Sequence, residues 1–297
     1  MKSDAGAAVL SPARTRTADF IALAKPRLNL LVVGSTLASY VIAGGDMSLV
    51  FRLVCTVAGT ALVAGGASAY NQVLERETDA LMVRTRLRPL PDGRLQVSEA
   101  LLFATALSAL GLTMLAAGVN LLAAGVALAT LLSYVVVYTP LKRVTSFATV
   151  IGAIPGALPP VIGWAAARDE LSQGAWLLFG IVFLWQLPHF LSIAWMCRDD
   201  YARAGFPMLA VLEPDGRSTA RQTVIYTAAL VPLSLAPTLI GLTGTTYFVG
   251  AFALAAIFMW LALRFAFSRS RLDARRLFLG SIIYLPLLWI LMIANRV

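Results

Sequence analysis

Residues 98–139 read SEALLFATALSALGLTMLAAGVNLLAAGVALATLLSYVVVYT, and this stretch decides the fold class. Glu99 is its one charged residue, and the short connection GVN separates two long apolar runs. A helix needs about 20 apolar residues to cross a hydrocarbon core of about 30 Å. These runs do not alternate between apolar and polar residues, as the strands of a membrane β-barrel do. The stretch therefore predicts two transmembrane helices joined by a tight turn.

The same pattern recurs along the chain and predicts an all-α polytopic membrane protein. Of the 297 residues, 59% are hydrophobic and 13% are charged, whereas a soluble domain has about 25% charged residues. This composition excludes a soluble enzyme, a disordered chain and a disulfide-rich secreted module. We predict a disordered cytoplasmic tail at residues 1–19 and a single transmembrane domain at residues 20–297. The nine predicted spans are residues 28–44, 50–70, 98–117, 121–139, 148–167, 174–196, 223–242, 246–267 and 277–294.

The distribution of basic residues predicts the orientation of the chain. With the N-terminus in the cytoplasm, all but three of the 24 Lys and Arg residues fall in the tail or in inner connections. The exceptions are Arg52, Arg168 and Arg296. Basic residues concentrate on the cytoplasmic side of membrane proteins. We therefore predict a multi-pass protein of the bacterial inner (plasma) membrane, with its C-terminus outside. The rule also explains the net charge of +9, so no nucleic-acid partner is predicted.

Polar residues continue the second span at its inner end. Asn71, Glu75 and Asp79 lie at positions i, i+4 and i+8, which places them on one face of a helix. Mg²⁺ prefers one or two carboxylates together with phosphate oxygens of a substrate. Arg84 and Arg88 follow, and guanidinium groups match the geometry of phosphate. A solvated helix of ion pairs is the alternative. Carboxylates at the end of a span favour a function, because they are costly there unless paired or liganding.

A second polar group occupies the sixth span and the connection after it. His189, the one histidine of the chain, lies inside the span, and Asp199, Asp200 and Tyr201 lie at its inner end. On a continuous helix, His189 and Asp200 would share a face. Two alternatives stay open here. The histidine can make a structural hydrogen bond within the bundle, and the aspartates can form a solvated helix end.

Two further segments complete the set of candidate motifs. Lys142 and Arg143 follow the fourth span, where they either bind a diphosphate or simply obey the topology rule. The next segment, IGAIPGALPPVIGW, is rich in Gly and Pro and predicts a kinked span with close helix approach around a cavity. Cys55 and Cys197 have no metal-ligand spacing, so they are interpreted as small buried side chains.

Taken together, these motifs resemble the UbiA superfamily of intramembrane prenyltransferases, and within it the haem-directed branch. The similarity covers about residues 20–295. The strings that carry it are NxxxExxxD, MxRTxxRPLP, YTPLKRxT, IGxxxGAxPPxIGW, LWQxPHF and DDYxxAGxPML. The resemblance implies nine transmembrane helices around a central cavity. Ala204 stands where the broader superfamily pattern DYxxD has its second aspartate. The question whether a second Mg²⁺ would have a full set of ligands therefore stays open.

The resemblance also implies a reaction, a cofactor and a set of site residues. Farnesyl diphosphate would react with the 2-vinyl group of haem B and water, giving haem O and diphosphate, and haem A synthase would be a possible partner that takes up haem O. Mg²⁺ would be the cofactor. The implied metal ligands are Asn71, Glu75, Asp79 and Asp200, and Lys142 and Asp199 complete the catalytic set. The implied substrate-binding residues are Arg84, Arg88, Arg143, Tyr138, Tyr201, Trp185 and His189.

Two other functions fit parts of the pattern. A UbiA-type enzyme with another aromatic acceptor would share most of these motifs, although the LWQLPHF segment and the glutamate at position 75 argue against it. A secondary transporter would also show many spans and broken helices. Transporters place substrate sites near the membrane midplane, whereas these acids lie at the inner ends of the second and sixth spans. That position favours a diphosphate site at the membrane edge.

Overall fold

The computed structural model describes residues 15–297, and this part of the chain folds into helices. Eight of these helices are long and apolar enough to cross a membrane, and the bent pair α1 and α2 supplies a ninth span if counted as one. The predicted all-helical membrane architecture is therefore confirmed. The helices that form the spans are α1 (Arg16–Ala24), α2 (Pro26–Ile42), α3 (Val50–Leu74), α5 (Val97–Gly118), α6 (Leu121–Leu132), α8 (Ala148–Ala157), α9 (Pro159–Arg168), α10 (Gln173–Met196), α13 (Arg217–Leu239), α14 (Thr245–Ser268) and α15 (Arg271–Ala294).

Five short elements lie on the side of the bundle that carries the polar motifs. A π-helix at Ser133–Tyr138 and the short α7 continue α6 and complete the fourth span. The remaining short helices follow the second and sixth spans, where the sequence has its long polar connections. The five elements are α4 (Arg76–Leu81), the π-helix, α7 (Thr139–Leu141), α11 (Arg198–Arg203) and α12 (Leu209–Leu212).

The chain bends by 41° between α1 and α2, at Lys25. Lys25 adopts a left-handed backbone conformation with φ 47°, and Pro26 occupies the first position of α2, where its missing N–H is no loss. The hydroxyl of Thr15 caps α1 by accepting from the N–H of Ala18 at 3.3 Å. The predicted disorder of residues 1–19 is therefore wrong for residues 16–19. The part of that prediction at residues 1–14 lies outside the described residues.

A buried ion pair explains why α1 is ordered. The carboxylate of Asp19 is 2% exposed and accepts from Nε of Arg94 at 3.1 and 3.0 Å. Arg94 belongs to the connection after the second span, and it also donates to the carbonyl of Leu87 at 3.1 Å. A charge of this kind can be buried only when it is paired. The pair therefore fixes α1 against the connection that carries the first polar motif.

Helices α3 and α5 pack with their backbones in close contact. A Cβ atom on Gly111 would lie 2.7 Å from the carbonyl oxygen of Gly59, so no larger residue fits at Gly111. Small residues at such contacts let membrane helices approach closely, and van der Waals packing then stabilises them. The tight pair holds the inner end of α3, and with it Asn71, in a fixed position.

The fifth span is kinked, as its Gly and Pro residues predict. The break lies at Leu158, between α8 and α9. Hydroxyl groups of α2 satisfy carbonyls at the break: Thr36 donates to Pro159 at 3.1 Å and Ser39 donates to Pro160 at 2.5 Å. Hydroxyl side chains often satisfy backbone groups freed by proline in membrane helices. The kink therefore also docks the first span against the fifth.

Two of the three outer arginines have a structural explanation. Arg168 donates to the carbonyl of Ala43, and Arg296 donates to the carbonyl of Val41. Both carbonyls lie at the C-terminal end of α2, where unpaired carbonyls and the negative end of the helix dipole favour cations. These arginines therefore cap a helix, which accounts for their departure from the charge asymmetry of the inner face.

Candidate active site

The first polar motif is buried at the inner end of α3. Asn71, Glu75 and Asp79 are 4%, 2% and 0% exposed. α3 ends at Leu74 and α4 starts at Arg76, yet the N–H of Asp79 donates to the carbonyl of Glu75 at 2.7 Å. The helical path is thus nearly maintained across the break. The alternative of a solvated helix does not hold, because all three side chains are buried in the protein.

Each buried carboxylate of this motif is paired with a cation from elsewhere in the chain. Nζ of Lys142 lies 2.9 Å from Oε1 of Glu75, and a guanidinium nitrogen of Arg88 lies 2.6 Å from Oδ2 of Asp79. Burial opposes the charged form of Lys142, but the carboxylate of Glu75 outweighs it and raises the pKa of Lys142. Lys142 is therefore a fixed positive charge at the site. The rule that basic residues concentrate on the cytoplasmic side does not by itself explain this buried ion pair.

Lys25 is a site residue that sequence reasoning missed. It lies at the bend between α1 and α2, and its Nζ lies 3.5 Å from Oδ1 of Asn71. The amide nitrogen of Asn71 donates to the hydroxyl of Thr139 at 3.3 Å. From the sequence, Lys25 was interpreted as one more basic residue of the inner face. A Lys-Pro pair directly before an apolar run is the available signal, since it places a cation at a helix break.

The second polar motif meets the first one. Oδ1 of Asp200 accepts from the backbone N–H of Val83 at 3.1 Å, and Arg203 pairs with the same carboxylate. The guanidinium of Arg84 lies over the ring of Tyr201, 5.7 Å from its centroid. Burial disfavours the charged form of Asp200, but the hydrogen bonds from Arg203 and from the N–H of Val83 favour it and lower the pKa of Asp200. The two connections therefore converge, as the sequence predicts.

Phe206 adds a second link between the two connections. It follows α11 and is 1% exposed, and Nζ of Lys142 lies over its ring, 4.8 Å from the centroid. A cation over an aromatic face is stabilised by the ring quadrupole. Sequence reasoning missed Phe206, although it belongs to the string AGFPML within the quoted motif. Lys142 is thus held by Glu75 from one side and by Phe206 from the other.

A cavity lies where these elements meet. Its wall combines Arg84 from the first connection, Tyr138 and Lys142 from the fourth span, and Tyr201 from the second connection. Phe190 and other apolar residues of α10 close it toward the membrane interior. One end of the cavity is therefore cationic and the other is aromatic and aliphatic. This polarity suits a molecule with an anionic head and a hydrocarbon tail.

The π-helix Ser133–Tyr138 places two tyrosines beside the cavity. The rings of Tyr134 and Tyr138 lie 5.4 Å apart, and the hydroxyl of Thr139 donates to the carbonyl of Tyr134 at 2.9 Å. Such π-turns inside helices occur frequently at functional sites. Tyr138 was predicted as a site residue and Tyr134 was not, because the sequence pattern does not show a π-turn.

Two predicted residues lie outside the site. The side chain of Asp199 is 70% exposed and lies 3.9 Å from Arg198. Arg143 is exposed and donates to the carbonyl of Leu74 at the end of α3. Asp199 faces solvent because the chain changes direction at Cys197, between α10 and α11. This break also overturns the prediction that His189 and Asp200 share one face of a continuous helix.

Trp185 and His189 lie together on α10, deeper in the bundle. Trp185 is 4% exposed and its indole N–H donates to the carbonyl of Ser281 at 2.8 Å. The ring of His189 stacks on Trp185 with centroids 5.3 Å apart, and its Nδ1 lies 2.7 Å from the hydroxyl oxygen of Ser281. Neither residue belongs to the cavity wall described above. Their place is therefore between α10 and α15.

The donor set at the first motif is suited to a divalent cation. Oδ1 of Asp79 is sealed from solvent and has no hydrogen-bond partner among residues 15–297. Asn71, Glu75 and Asp79 supply one amide oxygen and two carboxylates at this end of α3, and hard cations prefer such oxygen ligands. No group of three His, Cys, Asp or Glu side chains in the described chain is close enough to hold a metal by itself. The ion would therefore need oxygen atoms of Asn71 and of a substrate as well.

Comparison with known proteins identifies the family. A protoheme IX farnesyltransferase of Solibacter usitatus is 50% identical over 287 residues, covering 94% of this chain and 98% of the relative. Residues 32–290 match the UbiA prenyltransferase family. The chain belongs to the UbiA prenyltransferase family. It is therefore a prenyltransferase embedded in a membrane by multiple helices.

Solved structures of UbiA proteins share its fold. A digeranylgeranylglyceryl phosphate synthase superposes with a TM-score of 0.77 at 16% identity, covering 94% of this chain and 98% of that one. A UbiA homologue from Archaeoglobus fulgidus, bound to DMAPP and Mg²⁺, gives a TM-score of 0.64 at 17% identity over 93% and 99% of the two chains. The architecture of a helical bundle with a prenyltransferase fold is thus confirmed, and divalent metal use occurs within the family.

Proposed function

We propose that this protein transfers the farnesyl group of farnesyl diphosphate to the 2-vinyl group of haem B, with addition of water, and so forms haem O and diphosphate. The observation that carries the proposal is the contact between the two polar connections around one cavity, where Lys142 and Arg84 stand at one end and aromatic side chains at the other. The 50% identity to a protoheme IX farnesyltransferase supports haem as the acceptor.

The cationic end of the cavity is the proposed diphosphate site. Arg84, Lys142, Arg88 and Lys25 supply positive charge at the first motif. Breaking the bond between the allylic carbon and oxygen places negative charge on the leaving diphosphate, and fixed cations in a site with little water stabilise that charge. Asn71, Glu75 and Asp79 would hold Mg²⁺, which when bound neutralises further charge on the diphosphate. Asp200, the fourth predicted ligand, instead contacts the N–H of Val83 and Arg203 and would close the site from the second connection.

The apolar end of the cavity is the proposed site of carbon–carbon bond formation. Tyr138 and Tyr201 line the cavity, with Tyr201 beside Arg84 and so next to the diphosphate site, and aromatic faces stabilise a cation by about 0.5–2 kcal/mol. The allylic cation is exposed to attack by water, which an enclosed site prevents. The terminal carbon of the vinyl group forms the new bond to the farnesyl group. The carbon next to the porphyrin then takes up water and releases a proton, which leaves a hydroxyl group there.

The haem would lie on the side of α10 and α15. His189 is the residue that the resemblance links to the acceptor, and Trp185 is a predicted substrate-binding residue; both are held against α15 by Ser281. Haem B has a broad apolar ring, and the stacked side chains between these helices are apolar as well. We therefore assign Trp185 and His189 to the acceptor and Tyr138 and Tyr201 to the farnesyl group.

We also propose how the domain sits in the membrane. Residues 20–297 would form one catalytic domain in the inner (plasma) membrane, with the N-terminus in the cytoplasm and the C-terminus outside. The asymmetry of Lys and Arg supports this orientation. A haem A synthase that takes up haem O is the proposed partner. A reporter enzyme fused to the C-terminus, active only outside the cytoplasm, would test the orientation.

Mass analysis of haems extracted from membranes tests the reaction. Cells that lack endogenous haem O would express either the wild-type protein or the Asp79→Ala variant at matched levels. We expect farnesylated haem only with the wild type, because the variant lacks a buried carboxylate of the diphosphate site. Asp199→Ala is the matched control, since Asp199 lies outside the site. Wild-type membranes that consume another aromatic acceptor, or form no farnesylated haem, would contradict the proposal.

A further inference from the structure

His189 has a local environment that the diphosphate site does not explain. Its imidazole ring lies between Trp185 and Phe278, with centroid distances of 5.3 and 5.0 Å and nearly parallel planes. Phe190 contacts it from a third side, with the ring centroids 5.7 Å apart. The side chain is only partly buried. A polar ring is thus held edge-outward in an aromatic cage at the contact between α10 and α15.

The two hydrogen bonds of the Ser281 hydroxyl assign a tautomer to His189. The hydroxyl of Ser281 donates to the carbonyl of Phe278 at 2.6 Å, and a serine hydroxyl has one hydrogen to donate. With that hydrogen given to Phe278, the contact of 2.7 Å between Nδ1 of His189 and Oγ of Ser281 is satisfied when the histidine donates, and this assigns the proton to Nδ1. A neutral imidazole carries one N–H. The remaining nitrogen, Nε2, consequently has a free lone pair.

This lone pair has no partner among residues 15–297. The hydrogen bonds of His189 in the described chain use Nδ1 and the backbone, and Nε2 is not among the sealed polar atoms that lack a partner. Histidines that bind metals show this arrangement, with one N–H held by a hydrogen-bond acceptor and the other nitrogen open to the metal. Nε2 is therefore prepared to act as a ligand.

The surroundings select the kind of metal compound. His189 is the one histidine of the sequence, and no group of three His, Cys, Asp or Glu side chains that could hold a metal ion occurs in the described residues. A free metal ion would keep most of its coordination sphere in water, which the aromatic cage disfavours. A metalloporphyrin brings four nitrogen ligands of its own and needs one axial ligand in an apolar pocket. This environment therefore favours an iron porphyrin over a free metal ion.

We propose that Nε2 of His189 is the axial ligand of the iron of the haem substrate, and that Ser281 is the positioning residue that fixes the imidazole tautomer. This inference rests on the proposed function, since it takes haem as the acceptor. Phe190 directly follows His189 and lines the cavity. Iron ligation at His189 thus places the porphyrin beside the wall of the farnesyl site, which restricts the vinyl groups that can reach the allylic carbon.

Haem binding to the purified full-length protein tests the inference. The variants are His189→Gly, Ser281→Ala and, as matched control, Ser192→Ala. Ser192 is fully buried and its hydroxyl donates to the backbone carbonyl of His189, three residues earlier, so its removal costs the same type of bond as in Ser281→Ala but leaves the contact at Nδ1 in place. The readouts are the Soret absorption during titration with haem B and the iron–imidazole stretching band in resonance Raman spectra. Formation of farnesylated haem is measured in the same preparations.

We expect an iron–imidazole band in the wild type and in Ser192→Ala, its loss in His189→Gly, and its return when free imidazole is added to that variant. Ser281→Ala should bind haem about 10-fold more weakly, because loss of a group that orients a metal-binding histidine typically costs 10- to 100-fold in affinity. Rescue by imidazole distinguishes a lost ligand from a misfolded variant.

The two failures are distinguishable. A wild type that forms farnesylated haem but has the same Raman and Soret spectra as His189→Gly overturns the inference and leaves the proposed function intact. A wild type that ligates haem through imidazole but forms no farnesylated haem overturns the proposed function and supports the ligand assignment. Equal haem affinities of Ser281→Ala and Ser192→Ala would show that Ser281 does not position the imidazole of His189.

Discussion

The two acidic connections reach the same cavity, but they bury their charges to different extents. In the first, Glu75 and Asp79 are 2% and 0% exposed, and each is paired with a cation. In the second, the side chains of Asp199 and Asp200 are 70% and 15% exposed. Electrostatic interactions are stronger where water is excluded. The first connection is therefore where changes of charge during the reaction have the largest energetic effect.

The difference arises from the way each helix ends. After α3 the chain continues into α4 with a helical hydrogen bond from Asp79 to Glu75, so that the motif keeps one buried face. After α10 the break at Cys197 reorients the chain. Asp200 then contacts Val83 of the first connection, whereas Asp199 faces solvent. Two acidic motifs at the ends of long helices thus differ in structure: the first keeps its carboxylates buried, and the second divides its aspartates between the first connection and solvent.

The largest expected effect follows from Asp79→Asn. This change keeps the size of the side chain but removes a charge that Arg88 pairs with at 2.6 Å. We expect the rate of haem O formation to fall about 10²- to 10³-fold, as for the loss of one electrostatic group in other active sites. The measurement is the single-turnover rate at saturating farnesyl diphosphate. A decrease below tenfold would show that the buried connection is not the electrostatic centre.

Lys142→Met should reduce both stability and activity. The substitution leaves the carboxylate of Glu75 buried without its partner at 2.9 Å, and breaking such a pair costs about 3–5 kcal/mol. Adding Glu75→Gln removes the unpaired charge, so the double variant should regain thermal stability in detergent. It should not regain activity, because the cation for the leaving diphosphate is still absent. Recovery of activity in the double variant would assign Lys142 a structural role alone.

Asp200→Asn should have an intermediate effect. An amide oxygen can still accept from the N–H of Val83, but the attraction to Arg203 and Arg84 is lost. We expect the KM for farnesyl diphosphate to rise about tenfold, equivalent to about 1.4 kcal/mol, with a smaller change in kcat. Since the pKa of Asp200 is lowered, its charge stabilises the contact at neutral pH, and this contribution is lost only as the pH falls through that lowered pKa. An unchanged KM would show that Asp200 does not contribute to the binding of farnesyl diphosphate.

Much of the fold follows from the sequence because membrane spans depend on local properties. The lengths of the apolar runs give most helix positions within a few residues, and the proline-rich segment gives the break at Leu158. α13 begins at Arg217 and α15 at Arg271, several residues before the predicted spans. Their first turns are polar and lie outside the apolar run, so hydrophobicity alone does not show where the helix starts.

The site follows from the sequence only in part, because its partners are distant in the chain. The buried motif at Asn71 was found from spacing and position at the end of a span. The pairing of Lys142 with Glu75 and the approach of Lys25 to Asn71 depend on how the spans pack. The left-handed backbone of Lys25 and the π-turn before Thr139 have no periodic signal. Spacing also treats Asp199 and Asp200 alike, although the break at Cys197 separates their roles.

The smallest expected effect is that of Asp199→Asn, and it is the sharpest test of the comparison. Asp199 is adjacent to Asp200 in the sequence, carries the same charge and lies in the same short helix, but its side chain is 70% exposed and only 3.9 Å from a partly exposed Arg198. Exposed ion pairs typically contribute about 0–1 kcal/mol. We expect kcat and KM for farnesyl diphosphate within about twofold of the wild type, measured beside Asp200→Asn in the same membranes. If both substitutions raised KM equally, the second connection would act through its total charge, and the geometric distinction between the two aspartates would have no functional consequence.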